Sequence, residues 1–205
     1  MIRYSGIASA LHWGIAVLVL VTSGLALFRE AFSRQAIWMI SAHKVVGLCV
    51  LALGLLLLLW RLAHPSPPLP RQMDRREVVL AKSVHWFLYA LMIIVPLAGW
   101  VFTSLASSTR ALDYRGLDSV PRLWLAIDDA ASSTWHEAHE LAGFTLIGLF
   151  LVHIAGAYRH QLLGPVILRE RMLTRRPRWL RPLIFLCIGL WLAGLSFDLL
   201  GLRLT

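Results

Sequence analysis

The stretch "WHEAHELAGFTLIGLFLVH", residues 135–153, decides the fold. It places His136, His139 and His153 in or beside a run apolar enough to cross a membrane. An imidazole in hydrocarbon is costly without a partner, so ionisable groups in such a run default to functional sites. His139 and His153 are 14 residues apart. On a helix that offset is a rise of roughly 21 Å and a rotation about 40° short of four full turns. Both therefore lie on one helix face, near opposite membrane surfaces. His136 is 17 residues from His153, which leaves it roughly 100° out of register. His136 reads as a bystander.

The rest of the chain agrees with a membrane setting. It has 205 residues, 58% of them hydrophobic, a mean hydropathy of +0.69 and a formal net charge of +9. Such apolar bulk exceeds that of soluble domains. The basic residues sit between apolar runs and form no recognition module, so nucleic acid is not an expected partner. Cys49 and Cys187 both fall in apolar segments, which argues against a disulfide framework. The absence of C-x-x-C-H argues against covalently attached haem. The first apolar run is of spanning length and has no clear small-residue cleavage site, so a cleavable signal peptide is not expected. Neither G-x-G-x-x-G nor a P-loop occurs.

A spanning helix needs roughly 20 apolar residues. Five segments qualify, at about 8–28, 38–60, 83–103, 137–159 and 182–202. The expected fold is an all-α integral membrane protein: a four-helix bundle within residues 1–175, and an additional C-terminal transmembrane helix within 176–205. "RLAHPSPPLPRQMDRREVV" (61–79) reads as a loop. "SVPRLWLAIDDAASS" (119–133) reads as a short amphipathic helix on the membrane surface. Lys and Arg counts set the orientation. One face collects thirteen, from Arg3 and the loops at 61–82 and 159–181; the other collects six, Arg29, Arg34, Arg110, Arg115, Arg122 and Arg203. This bias predicts a cytoplasmic N-terminus and, after five spans, a periplasmic C-terminus. The basic loops are also expected to touch anionic lipid.

In that topology the histidines form two layers. His43 and His139 fall at the outer level; His12, His85 and His153 fall at the inner level. A lone histidine at a span end is most simply an interfacial residue, but five at matched depths are not. Two layers of intramembrane imidazoles suit two b-type haems, each iron held by two axial histidines from facing helices. A flat macrocycle beside a helix also needs a small residue four positions after the ligand, on the same face. His12 is followed there by Ala16, His43 by Gly47, His139 by Gly143 and His153 by Ala157, but His85 by Tyr89. His12, His43, His139 and His153 are therefore the expected haem-iron ligands. Zinc fits less well, since no cysteine or carboxylate lies near the inner layer and Glu140 is turned away from His139. A membrane protein relaying protons along histidines remains a competing class, separable by its lack of a b-type haem spectrum.

These residues carry a family resemblance. "ALHW" (10–13), "FREAFSR" (28–34), "ISAHKVVG" (40–47), "HPSPPLP" (64–70), "VHWFLYALMIIVPLAGW" (84–100), "HELAGFTLIGLFLVHIAGAYRH" (139–160) and "RERML" (169–173) occur in order. Together they resemble the bacterial cytochrome b561 family, which includes the membrane superoxide oxidase. More distantly the chain is similar to the cytochrome b subunits of nickel–iron hydrogenases and formate dehydrogenases. The resemblance implies a four-helix di-haem bundle in the bacterial inner membrane, with His43 and His139 at the outer haem and His12 and His153 at the inner one. It places His85 and His160 near the inner haem without an axial role, and makes His160 a candidate partner for quinone. The family often has two adjacent histidines where this chain reads His160-Gln161, and the superoxide oxidase type ends after four helices.

The expected function is electron transfer between the periplasmic side and the quinone pool, with ubiquinone as substrate or bound cofactor. Superoxide is one candidate donor: Arg29, Arg34 and Lys44 near the outer ligands would steer a small anion. The alternative is a cytochrome b subunit that anchors a hydrogenase- or dehydrogenase-type complex, or serves a periplasmic redox protein. No catalytic side chain is assigned.

Overall fold

The structure, a computed structural model, describes residues 4–28, 36–65, 73–107 and 120–162; for residues 36, 37 and 160–162 it describes the backbone alone. The expected span at 182–202, its domain at 176–205, Arg29 and Arg34 lie outside the described residues. Within them the chain forms four helices: α1 (Gly6–Leu27), α2 (Ala36–Ala63), α3 (Arg75–Leu105) and α4 (Asp129–Leu162). All four are long and apolar enough to cross a membrane. The protein is a multi-pass, all-helical membrane protein, and no strand occurs among the described residues.

Each helix matches an expected span; α2, α3 and α4 extend past theirs at both ends, because the apolar run marks only the hydrocarbon crossing, while α1 starts two residues early and ends one short. α1 starts at Ser5, whose side chain accepts the Ala8 amide at 3.2 Å, meeting one of the amides that a helix start leaves unpaired. α3 contains Pro96. A proline has no N–H to give its own turn, and membrane bundles tolerate this where neighbouring helices re-satisfy the backbone.

α1 packs on α2, α2 on α3, and α3 on α4, whereas α4 has little backbone contact with α1 or α2. Large aliphatic side chains line the outside: Leu62 is 64% exposed and Leu141 73%, as lipid-facing residues should be. The interior is small. Ile15 and Val19 of α1, Val50 and Leu57 of α2, Met92 of α3 and Leu146 of α4 form one buried cluster at mid-bundle. α2 and α3 approach closely at Gly54, where a Cβ would stand 3.4 Å from the Met92 Cβ. Small residues permit such approaches where packing rather than water drives helix association.

The amphipathic helix expected at 119–133 is not formed. Residues 120–128 are non-helical, and α4 begins at Asp129. Their polar groups are spent on the end of α3 instead. Trp100 Nε1 donates to the Pro121 carbonyl at 2.7 Å, the Leu123 amide to Ser104 Oγ at 3.1 Å and the Asp128 amide to the Leu105 carbonyl at 3.1 Å. Asp129 then accepts from the Ser107 amide at 2.8 Å and hydroxyl at 2.9 Å. A segment whose backbone donors are bonded outward cannot also close helical turns.

Leu146→Ala should destabilise the bundle by about 2–4 kcal/mol through the cavity it opens. Leu141→Ala, on the lipid face, should change stability by less than about 0.5 kcal/mol. Unfolding in mixed micelles followed by circular dichroism measures both.

Candidate functional site

The helices bring the histidines together in two sets. At one level His43 of α2 faces His139 of α4, with ring centroids 6.1 Å apart and planes at 89°. At the other, His12 of α1 faces His153 of α4 at 5.9 Å and 67°. Both pairs bridge the side of the bundle where α4 has little backbone contact with α1 or α2.

The separations can be tested against a bound iron. Transition-metal bonds to imidazole nitrogen are about 2 Å, and a five-membered ring with bonds of about 1.35 Å places its nitrogen about 1.15 Å from the centroid. Two trans imidazoles on one iron therefore have centroids about 6.3 Å apart. Both pairs fit this spacing.

The hydrogen bonds of the first pair fit as well. His43 Nδ1 is 2.8 Å from the Thr22 carbonyl oxygen and 2.9 Å from the Thr22 hydroxyl; that hydroxyl donates to the His43 carbonyl at 3.2 Å. His139 Nδ1 is 2.9 Å from the Val95 carbonyl. A carbonyl can only accept, so each Nδ1 carries the proton and each Nε2 keeps its lone pair. That is the tautomer a metal-binding histidine needs, and a carbonyl on the far nitrogen also fixes the ring's orientation. Space is available too: a Cβ added at Gly47 or at Gly143 would meet nothing within 4 Å. Ala16 is half-buried, and Ala157 lies on an exposed part of α4.

His85 belongs to the second level by position but not by geometry. Its ring is 4.9 Å from that of His153, at 86°, too close for an iron to lie between them. Its Nδ1 donates to the Ala81 carbonyl one turn back, at 2.6 Å, and Tyr89 stands 6.5 Å away on the same helix. His136 lies apart from both pairs. Its Nε2 is 3.9 Å from Glu140, and its ring meets Phe102 at 5.0 Å. His160 lies on the last turns of α4. Lys44, next to His43, is half-buried.

Three contributors escape a reading of side-chain types. Thr22 and Val95 act through main-chain carbonyls. Gly99 of α3 makes room for the His139 ring: a Cβ there would stand 2.9 Å from His139 Cε1 and 3.0 Å from Nδ1. The second level has its own polar surround. His12 meets Trp13 edge-on at 5.5 Å, and the Arg61 guanidinium lies 4.5 Å over the Tyr4 ring.

A bundle of apolar helices presenting paired, oriented imidazoles is the architecture of a membrane cytochrome b. Residues 3–175 match the family described as Prokaryotic cytochrome b561, and the chain belongs to that family. It is 31% identical over 98 residues to a Probable superoxide oxidase CybB of Yersinia pestis, a match covering 47% of this chain and 56% of that protein. The chain therefore spans about half the length of that curated relative. It is 27% identical over 178 residues to the Cytochrome b561 homolog 2 of Escherichia coli strain K12, covering 84% of this chain and 92% of the relative. Membership implies haem b as the cofactor and electron transfer as its use.

Gly99→Ala should push the His139 ring off the Val95 carbonyl and lower the haem content of purified protein. Gly148→Ala, where a Cβ meets nothing within 4 Å, should leave it unchanged. A pyridine haemochrome assay compares the two.

Proposed function

We propose that the protein carries electrons across the inner membrane on two b haems, from the periplasmic side to quinone. The observation that carries this reading is the pair of imidazole separations, 6.1 Å and 5.9 Å, at two levels of one bundle. His43 and His139 would hold the haem at the outer level, and His12 and His153 the haem at the inner level. Haem supplies one-electron chemistry, and its ligands, burial and hydrogen bonds set its potential.

The chain's own residues do the rest. The Thr22 and Val95 carbonyls hold the outer imidazoles in the binding tautomer. Gly47 and Gly143 leave room beside His43 and His139, and Ala16 and Ala157 would do the same beside His12 and His153. His85 and His160 would serve the inner haem or quinone vicinity rather than iron. The lysine and arginine bias puts the N-terminus in the cytoplasm, which makes the His43 level the periplasmic one.

Superoxide is the proposed donor, following the relative named as a probable superoxide oxidase. Two superoxide anions would each release one electron and leave as dioxygen at the outer level. Two electrons and two protons would convert ubiquinone to ubiquinol at the inner level. Lys44, beside His43, together with Arg29 and Arg34 would favour approach of a small anion.

A docking subunit for a dehydrogenase or a periplasmic redox protein is the second reading. The observation in its favour is the segment 120–128, pinned to α3 yet presenting Trp124, Leu125 and Ile127 to the outside. Co-purification of a stoichiometric redox protein would select it.

The deciding experiment is a reduced-minus-oxidised spectrum with haem stoichiometry. Wild type should hold two haems. His12→Ala, His43→Ala, His139→Ala and His153→Ala should each lose one, and His136→Ala none. Both haems retained in His139→Ala would overturn the ligand assignment. Anaerobic mixing with superoxide should reduce the protein; no reduction would exclude that donor.

A further inference from the structure

Trp13 carries an unanswered donor. Its Nε1 is shut off from solvent and has no acceptor among the described residues. An indole N–H can only donate, and leaving one buried and unmet carries a full desolvation penalty. Native proteins seldom keep such a group without a reason. Here it adjoins a candidate iron ligand, since the Trp13 ring meets His12 at 5.5 Å.

A cation stands at the same end of the bundle. Arg61, in the last turn of α2, has its guanidinium over the Tyr4 ring, with Tyr89 of α3 within electrostatic reach. It is also within electrostatic reach of His12. Guanidinium, like indole, offers donors only, and its planar fork matches a carboxylate. Whatever these two groups bind must accept hydrogen bonds, and the charge favours an anion.

We propose that Trp13 and Arg61 form a carboxylate site that takes a porphyrin propionate at the His12/His153 level. The proposal rests on the two-haem reading above. A porphyrin with its iron between His12 and His153 carries two propionates on one edge, the only anionic groups of the macrocycle. Directed toward Arg61, that edge supplies the acceptor that Trp13 lacks. Tyr4 acts as a positioning residue, its ring lying under the guanidinium. A positive charge there also favours the reduced haem, so Arg61 raises the potential of this level alone.

The test uses the intact holoprotein and three variants. Trp13→Phe removes the N–H and keeps a ring, Arg61→Gln removes the charge, and Arg61→Lys keeps charge without the fork. Haem transfer to an excess of apomyoglobin and a redox titration are the readouts. Trp13→Phe and Arg61→Gln should each speed loss of one haem by roughly tenfold to a hundredfold, the worth of one hydrogen bond to a charged group. Arg61→Gln should lower one midpoint potential and leave the other in place, and Arg61→Lys should restore that potential but not full retention. Unchanged haem release and potentials in Trp13→Phe and Arg61→Gln would overturn the site. A weakened response to added ubiquinone with unchanged haem release would overturn it too, in favour of a quinone site. Haem count in the wild type separates the two levels of failure. Fewer than two haems sinks the two-haem reading and this site with it; two haems with unchanged release sinks this site alone.

Discussion

The bundle turns on the bonds that tie imidazole nitrogens to main-chain carbonyls of neighbouring helices. His43 of α2 is held by Thr22 of α1, and His139 of α4 by Val95 of α3. Each bond does two jobs. It links two helices inside an apolar setting, where a polar contact has little competition from water. It also assigns the proton to Nδ1 and leaves Nε2 as a lone pair. Without it the ring could take either tautomer, and its orientation would rest on packing alone. The close approach at Gly99 follows from the same need, since the His139 ring can reach the Val95 carbonyl only if nothing larger than hydrogen stands beside it.

That constraint marks where the sequence could be read and where it could not. The four spans of the described region were legible because apolar length has one physical cause, the thickness of the hydrocarbon. The difference between His136 and His139 follows from fixed helix rotation: seventeen residues leave His136 roughly 100° from His153, whereas fourteen leave His139 about 40° away. Thr22 and Val95 were not legible, because a carbonyl is present at every residue and has no side-chain signature. Gly99 lay in a recognised run, but which of the apolar spans' glycines faces an imidazole depends on how α3 and α4 are rotated together. Trp13 and Arg61 were hidden for a related reason. Each looks like an ordinary interfacial residue until α1, α2 and α3 are brought side by side. The stretch at 119–133 has the apolar spacing of a surface helix, but the α3 groups that take up the hydrogen bonds of residues 120–128 have no signature in that spacing.

The space between the two histidine levels bears on which particle the bundle conducts. A proton relay requires donors and acceptors in unbroken sequence, because each transfer needs a hydrogen bond. Between the levels the buried cluster consists of Ile15, Val19, Val50, Leu57, Met92 and Leu146, none of which can pass a proton. Among the described residues the histidines gather at two levels, His43 and His139 at one, and His12, His85 and His153 at the other, while Tyr89 packs against the cluster between them. Electron transfer needs no such chain and tolerates an apolar gap between its centres. An apolar buried cluster between imidazole pairs suits an electron carrier better than a histidine proton channel.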